Sequence, residues 1–145
     1  MGKVVIDVPD GPPAHPFLSA AVRAGDFVYV SGHAGLLPNR PPSGSGVDWM
    51  PGELVEGGIE AETRQTLESL KQALEAAGSC LAEVVKVNTF LRDVDRDFHA
   101  YNRVYMEYFP TEPPARTSVG AKIYGNILVE IECVAYSPLS ERRAE

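Results

Sequence analysis

The stretch VVKVNTFL at Val84 to Leu91, RD at Arg92-Asp93 and VDRDFHAYNRVYMEYF at Val94 to Phe109 changes its periodicity once, and that change decides the fold class. Its first eight residues are mostly β-branched or apolar and stop at Arg92-Asp93, which predicts a strand. Beyond the stop, Phe98, Tyr101, Tyr105 and Tyr108 recur at three, four and three behind Asp95 and Asp97, and the pattern ends before Pro110; this predicts a helix with its rings on the core side.

Working outward toward the N-terminus, Ile59, Thr63, Thr66, Leu67, Leu70, Ala73, Leu74 and Ala77 repeat at three and four. Glu60, Glu62, Arg64, Glu68, Lys71 and Glu75 fall on the other side, and Gly78 supplies a cap. A second amphipathic helix is therefore expected. Residues 33–53 are rich in proline and glycine and predict a long loop, although Leu36, Leu37, Trp49 and Met50 are unusual for a purely disordered linker. Phe27 to Ser31 reads as a strand stopping at Gly32, with Leu18 to Ala24 as its partner and a short strand within Lys3 to Val8.

Toward the C-terminus, two β-rich runs, Thr117 to Tyr124 and Ile127 to Tyr136, flank Gly125-Asn126, which is a hairpin signal. In the last run Ile127, Val129, Ile131, Cys133 and Ala135 share one face, so Glu130 and Glu132 share the other. Strands, helix, strand, helix and hairpin in that order indicate an α+β domain, 1–145, with two helices on one face of a sheet. The other face then lacks a cover within the chain, and association of several copies would supply it.

Composition narrows the function. A formal net charge of −7, with lysines and arginines scattered singly, lacks the basic footprint that nucleic acid requires. No apolar run is long enough for a membrane helix and no leader is evident, so a soluble, cytoplasmic protein is expected. Cys80 and Cys133 show no metal spacing and are expected to be reduced, mostly buried thiols. His15, His33 and His99 show no ligand spacing either, though His33 directly follows Gly32.

Several of these segments resemble one family. Pro-Ala-Arg-Thr-Ser-Val at Pro114 to Val119 and Val-Glu-Ile-Glu at Val129 to Glu132 resemble the C-terminal motif of the Rid (reactive intermediate deaminase, or YjgF) family. Val30-Ser31-Gly32, Leu74 to Gly78, Val85 to Asp93 and Phe98 to Phe109 resemble its other signature segments. The resemblance implies a chorismate-mutase-like fold and a homotrimer with clefts at the subunit interfaces. It also implies cofactor-independent hydrolysis of reactive 2-imino or 2-enamino acids to 2-keto acids and ammonia. Carried over by motif, Arg116 would bind the ligand carboxylate and Glu130 would stand near the reacting nitrogen. Ser31, Gly32, Asn102 and Ser118 would line the site.

The chemistry suits those residue types. A planar guanidinium grips a carboxylate with two parallel hydrogen bonds, and a carboxyl group can relay protons to and from a bound water. An imine is electrophilic already, so neither a metal nor an organic cofactor is needed. A plain structural ion pair between Arg116 and Glu130 or Glu132 is the competing reading of those side chains. Phe17 departs from the family's pattern, standing where its deaminases carry Tyr, Thr117 stands where Ser is usual, and the 33–53 loop is longer than in typical members. A trimeric binding module for small carboxylates is the alternative to a deaminase, and endoribonuclease activity, often attached to the family by name, is disfavoured by the acidic composition.

Overall fold

A computed structural model describes residues 2–9, 11, 17–38 and 53–142. Its main sheet has six strands: β1 (Val4–Ile6), β2 (Ala21–Ala24), β3 (Phe27–His33), β6 (Val84–Leu91), β7 (Ala115–Gly120) and β8 (Val129–Tyr136). Two-residue strands β4 (Leu36–Leu37) and β5 (Glu53–Leu54) pair separately and bracket residues 39–52, which lie outside the described residues, as do Trp49 and His15. The helices are α1 (Gly58–Ala76), α2 (Val94–Tyr108) and a single turn, α3 (Leu139–Arg142), for which the sequence offers no periodic signal. The fold is α+β with a mixed sheet and three helices.

Local chemistry fixes the start of α2 and the end of α1. Asp93 accepts the Arg96 N–H at 3.1 Å and caps α2. Gly78 takes φ 79° after α1, letting its N–H reach the Glu75 carbonyl and the Ser79 N–H reach that of Leu74. Leu67, Leu70, Ala73 and Leu74 of α1 and Tyr101, Val104 and Tyr105 of α2 pack on Val87, Val129, Ile131, Cys133 and Ala135 of the sheet as one core. Truncating Leu67 or Leu70 to Ala would cost about 2–5 kcal/mol on the usual scale for such sites.

Strand order is β1-β2-β3-β8-β6-β7, and this corrects the hairpin expected at Gly125-Asn126. β7 and β8 are not neighbours, because β6 lies between them, parallel to β7 and antiparallel to β8. Helix α2 carries the chain from β6 back to start β7 alongside it, the kind of connection a parallel pair needs. The chain then crosses the end of β6 through residues 121–128 before entering β8. β7 is consequently an edge strand, and it runs from Ala115 to Gly120, starting earlier and ending earlier than the expected Thr117 to Tyr124 run, so that it includes Arg116.

Other details differ from expectation. β3 runs through Gly32 to His33, with its register against β8 shifting between Val30 and His33, as a bulge does. Cys80 is exposed, its Sγ 3.7 Å from Glu83 Oε1, because it lies on the turn leaving α1; Cys133 is buried in the core and its thiol is pushed up to about 12 by that burial. Glu62, grouped by spacing with the polar side of α1, is only 3% exposed.

The face away from the helices shows Phe27, Tyr29, Tyr136 and Val119 to solvent; Tyr29 is 49% and Tyr136 46% exposed. Phe27 and Tyr136 pack in a tilted contact, 5.3 Å between ring centroids. A contiguous aromatic patch of this kind marks an interaction surface more often than a solvated one.

Candidate functional site

Arg116 lies on the helix side of β7. Its Cζ sits 4.6 Å from the ring centroid of Tyr105, 5.5 Å from Tyr101 and 5.9 Å from Phe98, and its Nη1 donates to Asn102 Oδ1 at 2.7 Å. Phe98, Tyr101, Asn102 and Tyr105 are spaced at three and four along α2, so one stripe of the helix builds the whole seat. Stacking on ring faces leaves the fork of the guanidinium planar and oriented. Among the described residues Arg116 has no carboxylate partner, so it forms no ion pair with Glu130 or Glu132 of its own chain. A cleft of about 880 Å³ opens beside it, lined by His99, Asn102, Met106, Phe109 and Pro114 among others.

The buried side of this seat carries two phenols: the Tyr101 hydroxyl is hydrogen-bonded, and the Tyr105 hydroxyl is buried with no hydrogen-bond partner among the described residues. Tyr101 Oη lies 2.6 Å from Thr89 Oγ1 and 3.4 Å from Ser118 Oγ, which places Ser118 on the same face as Arg116. Burial, with Tyr101 adding to it and Arg116 opposing, pushes the Tyr105 hydroxyl up to about 12. That phenol therefore stays neutral under any physiological condition.

Glu130 is on the other face. It pairs across β6 with Phe90 and projects, with Glu132, from the side of β8 that the helices do not cover. The carboxyl lines a pocket of about 250 Å³ together with Phe90, Ala121, Lys122, Ile123, Tyr124 and Ile127. Burial first, and then the Glu132 charge, raise its pKa above the ordinary 4.5. No described residue donates a hydrogen bond to it. Gly32 is packed directly on it: a Cβ there would come within 3.0 Å of the carboxyl carbon and Oε1. A side chain at that bulge would have to displace the Glu130 carboxyl by a few tenths of an ångström.

Ser31 stands one residue before, its Oγ donating to the Ser19 carbonyl at 2.5 Å. His33 follows, its Nε2 closed off from solvent without a partner among the described residues; burial lowers its pKa from 6.5, and a hydrogen bond with the Ala20 backbone opposes that shift. Phe17 is 64% exposed. Within one chain, then, the residues expected to form a single site separate into two groups. Arg116, Asn102 and Ser118 are on the helix face, and Glu130 and Gly32 are on the open face.

The family model described as Endoribonuclease L-PSP matches residues 9–137, nearly the whole chain. The chain belongs to the Rid/YjgF family. Among its relatives, a RutC family protein of Pyrococcus horikoshii is 40% identical, over 92% of this chain and 98% of that protein. A protein of Dermatophagoides farinae named 2-iminobutanoate/2-iminopropanoate deaminase is 37% identical over 91% and 94% respectively. The crystal structure of RidA from the Antarctic bacterium Psychrobacter sp. PAMC 21119 superposes with a TM-score of 0.76 at 36% identity, covering 92% of this chain and 98% of that one.

The seat of Arg116 in this Rid protein also uses side chains that the sequence did not single out as site candidates. Phe98, Tyr101 and Tyr105 read as core residues by spacing; Tyr101 and Tyr105 are buried and Phe98 is half-buried, and their rings also carry Arg116. The signal was present in Asn102, which shares their stripe. Among the described residues no cluster of three or more His, Cys, Asp or Glu side chains is gathered as metal ligands would be, and no helix is long and apolar enough to cross a membrane.

Proposed function

We propose that this Rid protein hydrolyses 2-imino acids to 2-keto acids and ammonia, in clefts formed between the copies of a homotrimer. The observation that carries this reading is the division of the site: a pre-oriented guanidinium without a carboxylate partner in its own chain on one sheet face and a half-buried carboxyl with no hydrogen-bond donor among the described residues on the other. Neither half is complete alone. A neighbouring copy whose open face approaches the β7 edge brings Glu130 of one protomer to Arg116 of the next, and it covers the exposed Phe27, Tyr29 and Tyr136 patch as well.

In that cleft Arg116 grips the carboxylate of the imino acid in a bidentate pair, with the backbone at Ser118 adding a donor, and the grip fixes the imine carbon. Water adds to that carbon. Glu130 takes a proton from the attacking water and delivers it to nitrogen, giving the carbinolamine; it then carries the proton of the new hydroxyl to nitrogen as the C–N bond breaks, so that ammonia leaves and the carbonyl forms. A carboxyl whose pKa lies above 4.5 is suited to this exchange, being closer to balance between its two forms near neutrality. Ser31 and Gly32 line the Glu130 side, and Phe17, with no hydroxyl, leaves that wall more apolar than a Tyr would. The relative named a 2-iminobutanoate/2-iminopropanoate deaminase supports the substrate class. A net charge of −7 speaks against RNA.

Light scattering on the full chain, with ammonia release measured from imino acids generated in situ by an amino-acid oxidase, tests the reading. A trimer that accelerates ammonia release sustains it. A trimer that binds 2-oxobutanoate without accelerating release would instead be a carboxylate-binding module, and a monomer at micromolar concentration would remove the shared cleft.

A further inference from the structure

The connection between β7 and β8, residues 121 to 128, forms a wall of the Glu130 pocket, yet its shape is imposed from behind by side chains outside the pocket. Arg92, just past β6, donates from Nε to the Ile127 carbonyl at 2.9 Å and from Nη2 to the carbonyls of Ile123 and Gly125. Glu62 of α1 accepts the Leu128 N–H at 2.9 Å through Oε1. The Leu128 carbonyl in turn accepts the Arg92 N–H at 2.9 Å. Both backbone polar groups of Leu128, two residues before Glu130, are therefore held from other elements. Gly35 closes over Glu62 so tightly that a Cβ there would meet the Glu62 Cα at 2.9 Å.

We infer that Glu62 and Arg92 are positioning residues of the Glu130 half-site, acting through the 121–128 connection and not by contact with substrate. The inference rests on the deaminase reading for its catalytic consequence. Charge-assisted hydrogen bonds to backbone are the strong kind. Here a guanidinium fork gathers three carbonyls that have no strand partner, while a carboxylate takes the N–H where the connection re-enters the sheet. Burial is the first cause of the raised Glu62 pKa, with Asp97 adding to it and the Leu128 N–H and Arg92 opposing. A buried acid in that setting is costly unless its hydrogen bond matters.

The consequence for Glu130 is a matter of water access. Around its carboxyl are Glu132 on its own strand, Lys122 and Tyr124 on the connection, Gly32 on β3 with His33 next in the chain, and uncharged Phe90 on β6. Burial is the larger of the two influences on its ionisation, and the connection supplies one side of that burial. A connection cut loose from Glu62 or Arg92 lets water in and brings Glu130 back toward an ordinary carboxyl.

The test uses the full chain with ¹³C-labelled glutamate side chains, the Glu130 resonance being assigned with Glu130→Gln. Glu62→Gln keeps an acceptor for Leu128, Glu62→Met removes it at similar volume, and Arg92→Lys keeps charge without the fork. Wild type and Glu62→Gln are expected to share one Glu130 titration midpoint and one kcat. Glu62→Met and Arg92→Lys are expected to move the midpoint down toward 4.5. They should also lower kcat about tenfold, part of the roughly 10²–10⁴-fold that a positioned acid–base group contributes. Affinity for 2-oxobutanoate, set at Arg116, should change less than about twofold, since ground-state binding and the chemical step are separable. Glu62 and Arg92 lie on different elements, so failure of one variant to fold leaves the other to decide. Unmoved midpoints in Glu62→Met and Arg92→Lys overturn the inference, as does a loss of keto-acid affinity matching the loss of kcat. If wild type releases no ammonia, the deaminase reading fails while the midpoints still decide whether these two residues govern Glu130.

Discussion

On one face of the sheet Arg116 is held by stacked rings and an amide oxygen; on the other, Glu130 sits beside a second carboxyl with no donor among the described residues. The first arrangement fixes direction. The second controls ionisation, because burial and a like charge both make the proton harder to remove. A single strand register separates the two: Arg116 pairs with Val87, whose side chain is in the core, and Glu130 pairs with Phe90, whose side chain is on the uncovered face. On the proposed function, binding and proton transfer can thus be altered independently.

Replacing each side chain should show that independence most strongly. Glu130→Gln is expected to lower kcat by roughly 10²–10⁴ with keto-acid affinity little changed. Arg116→Lys should instead weaken 2-oxobutanoate binding by about 1.5–3 kcal/mol, read by calorimetry, with the assembly intact. The Gln variant also has a sign in stability. Glu130 has a folded pKa above its unfolded one, so its contribution is fully present below the unfolded pKa and is lost as pH rises through the folded value. Glu130→Gln should therefore raise Tm relative to wild type at pH 7 and do so less at pH 4.

Gly32→Ala sharpens the comparison on the Glu130 side alone. The added methyl meets the far end of a flexible carboxyl, so stability should fall by less than about 1 kcal/mol while the carboxyl is displaced and kcat drops. Thermal melts beside ammonia-release kinetics check this, and equal losses in both would mean the bulge, not the carboxyl, was disturbed. Asn102→Ala acts on the Arg116 side alone, removing the 2.7 Å bond and weakening keto-acid binding by about 1 kcal/mol, with kcat retained. The smallest effect concerns His33. Its folded pKa lies below 6.5, so stability present above that pH declines as pH falls from 6.5 through the folded value, opposite in sign to Glu130. His33→Gln should flatten denaturant midpoints across that range.

Much of the fold was legible because it is local. The three-and-four spacing of α1 and α2, the cap at Gly78 and the alternation of β8 appear in the structure where the sequence put them. The hairpin at Gly125-Asn126 did not, since two β-rich runs around Gly and Asn look alike whether they pair or flank a third strand; what separates them is the α2 crossover, which makes β7 a parallel neighbour of β6. β4 and β5 are too short to leave a periodic signal. Glu62 looked solvated because spacing reports the average direction of a side chain and not whether a backbone N–H awaits it. Arg116 and Glu130 were both marked as candidate site residues by motif. That they face opposite ways was not, because the relative parity of β7 and β8 depends on pairings with β6 that are set at long range.

The opposed facing of Arg116 and Glu130 makes the protein open to genetic complementation. If every cleft takes its guanidinium from one protomer and its carboxyl from the next, a chain lacking Arg116 and a chain lacking Glu130 are each inactive alone. Co-expressed in equal amounts and assembled at random in a closed ring, about a quarter of their clefts would join an intact arginine to an intact glutamate, since each half is intact with even odds. Activity near that fraction, from two dead parents, would mean that inheritance of function in this protein belongs to the interface and not to the chain.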